Sequence, residues 1–331
     1  LTTENALAVV QQLREYKASQ VSLSGGEVLL RKDIEAILEA LVSFRISFMV
    51  ETNGILITDT VITIFKRALE QGVPACVGIS LDGGTKEAHE WNRGYNTFYP
   101  ALKGIEKAHK AGIKFAMQCV LNWHNIDSIP EFFKLAERFG SPQLNFVFVN
   151  SIGRGQQNFG ALGIPFGEYP RVFDLIHACI SRYKSTICLC VPPSVIQPRL
   201  LPSLLKSGKI KLATTCSFPL LGVLPDGTIS ICALTAKDEN LHLGNIKTDS
   251  LQDIWESAKI RQLRKTYEQG VLMGICSDCV FNHTCKGGCR AFAYQEGGSF
   301  TSPHPICHSF FKHGRFPKIY KQRVLASKAE T

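Results

Sequence analysis

Val21-Ser22-Leu23-Ser24-Gly25-Gly26-Glu27 sets a short apolar run against a Gly-rich turn, and Ile34, Ile37, Leu38 and Leu41 then share one stripe three or four residues apart. A run of that kind followed by such a stripe reads as a strand leading into a helix that covers it. The unit recurs on both sides. Strands are expected at 20–23, 46–50, 75–81, 113–121 and 144–149, with helices at 3–16, 32–44, 59–71, 99–111, 129–139 and 170–183. Such alternation builds an α/β fold on a parallel sheet, and right-handed crossovers order its strands consecutively. From 187 to 211 the alternation stops and Pro192, Pro193, Pro198 and Pro202 interrupt regular structure, so a domain boundary is placed there. Beyond it, 222–232 reads as a hairpin about Pro225-Asp226-Gly227, and 251–269 as one helix.

The 331 residues suffice for about two domains. With 45% hydrophobic and 20% charged residues, the composition excludes disordered and collagen-like chains. No apolar run approaches the length of a membrane span and no signal peptide opens the chain, so a cytoplasmic address without membrane association is expected. The net charge of +9 is spread thinly apart from Lys312, Arg315, Lys318, Lys321 and Arg323. Without interleaved aromatic residues that run reads as a solvated basic tail, and nucleic acid is not an expected partner.

Polar residues gather where the expected strands end. Ser24-Gly25-Gly26-Glu27 closes the first, Glu51-Thr52-Asn53-Gly54 the second and Ser80-Leu81-Asp82-Gly83-Gly84 the third, with Arg93-Gly94 and Gly153-Arg154-Gly155 further on. In a barrel of strand–helix units those edges converge on one mouth. Paired glycines let backbone approach a ligand, Glu27 can receive an ammonium group, and Arg93 can grip a carboxylate. Each feature alone fits a turn or a surface charge equally well. Their repetition favours a binding mouth.

Seven of the twelve cysteines lie between 216 and 307: Cys216, ten residues, Gly227, four residues, Cys232, a gap, then Cys276-x2-Cys279-x5-Cys285-x3-Cys289, and Cys307. Clustered thiols in a long chain without a secretion signal read as metal ligands, for zinc or for iron–sulfur clusters. Seven ligands divide into four and three, which leaves an open position or a place for Cys188, Cys190 or another residue. His283, His304 and His308 fall inside this region and read as exposed loop histidines rather than donors to sulfur. His89, His124 and His242 are assigned no chemistry.

Together these residues resemble the radical S-adenosylmethionine superfamily with a C-terminal SPASM domain, over nearly the whole chain. The resemblance implies a partial (β/α)6-type TIM-like barrel lacking its first strand over 1–205, a SPASM domain with a β-hairpin and helix over 206–312, and a basic tail over 313–331. It implies that Gly25, Gly26 and Glu27 bind the methionyl amino group, and that Ser80 and Arg93 contact the ribose and carboxylate of S-adenosylmethionine. Cys276, Cys279, Cys285 and Cys307 would hold an outer auxiliary [4Fe-4S] cluster, and Cys216, Cys232 and Cys289 an inner one. The family's Cys-x3-Cys-x2-Cys does not occur here. The chain starts at Leu1, so an upstream segment holding a third [4Fe-4S] cluster is expected, without which no radical would form.

The implied activity is that of an oxidoreductase or maturase. It would generate a 5′-deoxyadenosyl radical to cross-link or oxidise a ribosomal peptide or protein, with an electron donor such as flavodoxin or ferredoxin. Ala233 stands where the sulfatase-maturing branch has an Asp base after the second SPASM cysteine, which ranks that branch low. The alternative within the family is a tetrapyrrole or other small-molecule substrate. From other classes, a non-catalytic electron-transfer paralogue and a zinc-stapled binding protein remain.

Overall fold

The computed structural model describes residues 1–212 and 220–322, with the side chain of Arg154 left out. Cys216 and Arg323 therefore lie outside the described residues. Strands and helices alternate from the start: α1 (Thr3–Glu15), β1 (Val21–Leu23), α2 (Ile34–Ser43), β2 (Phe48–Thr52), α3 (Asp59–Glu70), β3 (Ala75–Ser80), α4 (Lys86–Arg93), α5 (Phe98–Lys110), β4 (Phe115–Leu121), α6 (Ile129–Arg138) and β5 (Gln143–Phe148). Next come α7 (Arg154–Leu162), α8 (Tyr169–Ile180), β6 (Thr186–Cys190), α9 (Leu201–Lys206) and β7 (Ile210–Leu212). The seven strands are hydrogen-bonded in chain order, and β1 to β4 are parallel. The expected α/β class is the observed one.

The chain forms two compact units, one of 1–146 with 225–227 and 245–252, the other of the remaining described residues. In the first, alternate strand residues Phe48, Val50, Val77, Ile79, Phe115 and Met117 are buried. The helices cover that face. In α3, Thr58 caps the N-terminus by accepting from the Val61 N–H at 3.2 Å, and Phe65 lies edge-on to Phe48 with centroids 5.2 Å apart. Phe132 of α6 packs at a tilt on Phe146 of β5, with centroids 5.4 Å apart. Burying each such ring contributes about 2 kcal/mol.

Helix α4 of the first unit was not foreseen, nor were several elements of the second. Residues 186–212 are not an irregular linker but β6, α9 and β7, with β6 and β7 paired in parallel from Ile187↔Ile210 to Leu189↔Leu212. Their prolines sit between these elements rather than inside the strands. The hairpin is present as β8 (Gly222–Val223) and β9 (Thr228–Ser230), and β10 (His242–Asn245) completes a three-stranded sheet. The single helix expected at 251–269 is two, α10 (Leu251–Trp255) and α11 (Ala258–Glu268), because Ser257 caps a new start by accepting from the Ile260 N–H. Short helices α12 (Asn282–Cys285), α13 (Arg290–Gly297) and α14 (Pro305–Lys312) follow.

The first part of the basic tail is not merely solvated. Tyr320 is buried and its hydroxyl donates to the Ile196 carbonyl, while Lys321 forms an antiparallel bridge with Cys279. Among the described residues no helix is long and apolar enough to cross a membrane.

One backbone contact shapes the mouth of the first unit. Gly54, at φ +83°, turns the chain after β2, and a Cβ on Gly104 of α5 would collide with the Gly54 carbonyl oxygen. Helix propensity alone would make Gly104→Ala stabilising by about 1 kcal/mol. Overpacking against backbone costs about 1–3 kcal/mol and outweighs it. Urea denaturation should therefore show the variant to be less stable than the wild type, and a gain in stability would refute the close contact.

Candidate cofactor and metal sites

Opposite the helix-covered face of β1 to β4 lies a half-buried one. Strand register puts Ser22 beside Met49, Met49 beside Cys76, Glu51 beside Gly78 and Ser80 beside Gln118 on that face. Its polar members sit towards the strand ends. Ser24 donates to Glu51 Oε2 at 3.2 Å, extending the row. Gln118 was missed by the sequence reading. Its amide lies across Gly78, where any Cβ would collide with it, so the glycine at 78 was the available signal.

Glu27 joins the ends of two strands. Its carboxylate accepts from Thr52 Oγ1 at 2.7 Å, from the Asn53 N–H at 2.7 Å and from the Leu29 N–H at 3.0 Å. A carboxylate has about four acceptor positions, so three bonds fix it in place and leave one for a cation. Beside it the backbone is open, since a Cβ built on Gly25 or Gly26 meets no atom within 4 Å. The Ser-Gly-Gly-Glu turn is thus a rigid carboxylate next to accessible backbone.

Asp82 organises the end of β3. It is buried and accepts from the Val120 N–H at 2.8 Å, from Arg93 Nε at 2.6 Å and from Asn92. Asn125 donates to the Asp82 carbonyl at 3.2 Å, and the Asp82 N–H donates to His89 Nδ1 at 3.1 Å. Arg93 is therefore placed by Asp82, a role that the sequence reading did not assign. Ser80, two residues earlier, remains partly exposed.

In the second unit, Cys276, Cys279, Cys285 and Cys307 are buried and line one small cavity. Backbone donors surround their sulfurs. The His304 N–H donates to Cys276 Sγ at 3.3 Å, the Phe281 N–H to Cys279 Sγ at 3.5 Å, and Ser194 Oγ lies 3.2 Å from Cys307 Sγ. Burial pushes Cys279 up to about 11 and Cys285 to about 12, and raises Cys276 and Cys307 as well. These groups stay protonated until something positive neutralises them.

Arg290 closes the loop beneath. Its guanidinium, almost fully buried, donates to the carbonyls of Phe300, Ser302 and Gly287, and a side chain at Gly287 would occupy its space. Of the three remaining cysteines, Cys232 and Cys289 are half-buried and close enough for Cys289 to add to the rise that burial imposes on Cys232. Cys188 and Cys190 share one face of β6 and hydrogen-bond to each other. His283 is exposed as expected and His308 half-buried, whereas His304 is not an exposed loop residue: it is 4% exposed and lines the thiol cavity. The bend that leads into α14 turns it inward.

The Asp82 network makes a pH prediction. Burial holds His89 down to about 4, a larger effect than the attraction of Asp82, and protonating Nδ1 would break its bond from the Asp82 N–H. An unfolded histidine titrates near 6.5. Between pH 6.5 and 4 the unfolded chain therefore binds more protons, and stability falls as pH falls through this window. Near pH 5 the loss from this residue is about 2 kcal/mol. Urea titrations at pH 7 and 5 should show it, with a shallower dependence in His89→Gln; equal slopes would exclude His89 as the source.

The sequence was compared with known families and proteins. Residues 1–136 match the radical SAM superfamily and 216–280 match an iron–sulfur cluster-binding domain, SPASM. The AdoMet-dependent heme synthase of Methanosarcina barkeri is 25% identical over 326 residues, 93% of this chain and 87% of that protein. The mycofactocin maturase MftC of Mycolicibacterium smegmatis is 26% identical over 327 residues, 98% and 78% of the two chains. Among solved structures, native anSMEcpe with bound AdoMet and Kp18Cys peptide superposes with a TM-score of 0.69 at 20% identity, covering 94% of this chain and 86% of that one. Streptococcus suis SuiB bound to precursor peptide SuiA gives 0.66 at 13%, covering 91% and 67%. These likenesses show the fold. The family matches, set beside the strand-edge turn and the cysteine cavity, identify the chain as a radical SAM enzyme with a C-terminal SPASM domain, a class that uses S-adenosylmethionine and iron–sulfur clusters.

Proposed function

We propose that this enzyme modifies a ribosomal peptide or protein side chain, forming a cross-link or oxidising it, with S-adenosylmethionine held in the first unit and two auxiliary [4Fe-4S] clusters in the second. The observation that carries the cluster assignment is the single cavity ringed by four buried thiols. Thiols in this spacing suit zinc or an iron–sulfur cluster, and the match to an iron–sulfur cluster-binding domain favours the cluster. When bound, S-adenosylmethionine supplies the hydrogen-abstracting radical and the clusters supply electron transfer.

The residues of the chain do the positioning. Gly25 and Gly26 offer open backbone to the methionyl group, and the remaining acceptor position of Glu27 takes its ammonium. Arg93 is anchored to Asp82 through Nε, leaving its terminal nitrogens for the carboxylate, and Ser80 faces the ribose. Cys276, Cys279, Cys285 and Cys307 hold the outer cluster. Cys232, Cys289 and Cys216 hold the inner one, and the two that are described lie near each other. An electron donor such as a flavodoxin or ferredoxin serves the clusters.

The peptide reading draws on the similarity to MftC and on the polar, half-buried face that carries Glu51, Ser80 and Gln118, which suits a ligand rich in amide groups. Similarity to a heme synthase favours a second reading, a tetrapyrrole substrate. Titration with iron coproporphyrin, followed by its visible absorption, separates the two. Saturable micromolar binding would support the tetrapyrrole and weigh against the peptide.

Two variants test the sites themselves. Anaerobically reconstituted wild-type chain should hold roughly eight irons, and Cys279→Ala roughly four, with part of its solubility lost because the ligand also orders its loop. An unchanged iron count would contradict the ligand assignment. Gly26→Val should retain stability and iron, since no protein atom lies within 4 Å of the added Cβ, yet bind S-adenosylmethionine at least tenfold more weakly in calorimetry. Undiminished binding would remove that turn from the site.

A further inference from the structure

His304 shares the thiol cavity with Cys276, Cys279, Cys285 and Cys307 but is not one of the cysteine ligands. It is 96% buried, and its Nδ1 has no hydrogen-bond partner among the described residues. Leaving a buried polar atom unpaired costs about 1–3 kcal/mol, and native structures keep such atoms chiefly for partners that the protein does not supply. The ring is also held firmly. Its backbone N–H is tied to Cys276 Sγ, its edge packs at 90° on Phe292, and the residue stands at the start of α14, whose first turn carries Cys307.

Four thiolates complete the ligand set of a four-iron cluster, so no coordination position remains for the imidazole. What remains to it is hydrogen bonding. We propose that His304 donates a ring N–H to a sulfur of the outer cluster and thereby sets that cluster's reduction potential. The inference rests on the assignment of Cys276, Cys279, Cys285 and Cys307 as its ligands. One-electron reduction adds negative charge that falls largely on sulfur, and a directed N–H stabilises the reduced form more than the oxidised one. The donor therefore raises the potential. Ser194, 3.2 Å from Cys307 Sγ, would act in the same sense as a donor to that sulfur, so His304 contributes part of the effect.

The test is a redox titration of the anaerobically reconstituted full chain followed by electron paramagnetic resonance, with the outer cluster identified as the signal missing from Cys279→Ala. His304→Phe keeps a ring against Phe292 but has no N–H; His304→Gln restores a donor. Both variants should keep the wild-type iron and sulfide content. The phenylalanine variant should be about tenfold harder to reduce, which for one electron is a fall of about 59 mV in midpoint, and the glutamine variant should recover most of that. An unchanged midpoint in His304→Phe with its cluster intact overturns the proposal. Loss of the outer iron in that variant also overturns it, because the ring would then hold metal or loop rather than tune a potential. Metal analysis of the wild type comes first. Zinc in place of iron there would sink the cluster reading itself, a result distinct from either failure of the variant.

Discussion

Holding four thiols around one cavity is the constraint on which the second unit depends. Between Gly274 and Phe316 they share the interior with Ile275, Phe292, Ala293, Ile306 and Phe310. The apolar cluster of Ile231, Leu241 and Ile260, with Leu263, Tyr267 and Phe300 packed on it, steadies the hairpin and α11. The cysteine loops are fastened differently, by Arg290 under the 285–289 turn and by the bridge from Cys279 to Lys321. Buried thiols are tolerable as small hydrophobes, but as thiolates they require a compensating charge. The N–H groups of His304 and Phe281 already stand against the sulfurs of Cys276 and Cys279, where they would stabilise thiolates.

The first unit keeps charge in fixed positions through hydrogen bonds. Glu27 and Asp82 each accept three hydrogen bonds, and each spans two strand ends. A carboxylate satisfied in this way cannot wander, and an arginine bound to it presents its remaining donors from a fixed place. The cost of organising such groups is met during folding rather than at ligand binding. Gly54 and Gly104 serve the same end sterically, by letting α5 approach the loop that follows β2.

The parts of the fold legible from sequence were those with a clear period. Strands β1 to β5 stood out as short apolar runs bounded by turn residues, each set against a helix with apolar residues three or four apart. The two strands that escaped, Thr186–Cys190 and Ile210–Leu212, are no shorter than β2 and β1 but flank the segment of Pro192, Pro193, Pro198 and Pro202, whose prolines pointed to a linker. The division of α10 from α11 depended on one serine acting as a cap. At the sites, glycine pairs and cysteine spacings were readable because they are local. Asp82, Gln118 and Arg290 were not, since what they do depends on partners brought close only by folding: Val120, Gly78 and Phe300. His304 was misjudged for the same reason, because local polarity suggests exposure and tertiary packing decided otherwise.

The elevated thiols of the cysteine cavity bear on how the protein is made. Alkylating agents and oxidants attack the thiolate, and cysteines held up to about 11 or 12 by burial offer almost none of it at neutral pH. Protein handled at neutral pH should therefore keep Cys279 and Cys285 free of alkylation and disulfide exchange while it stays folded.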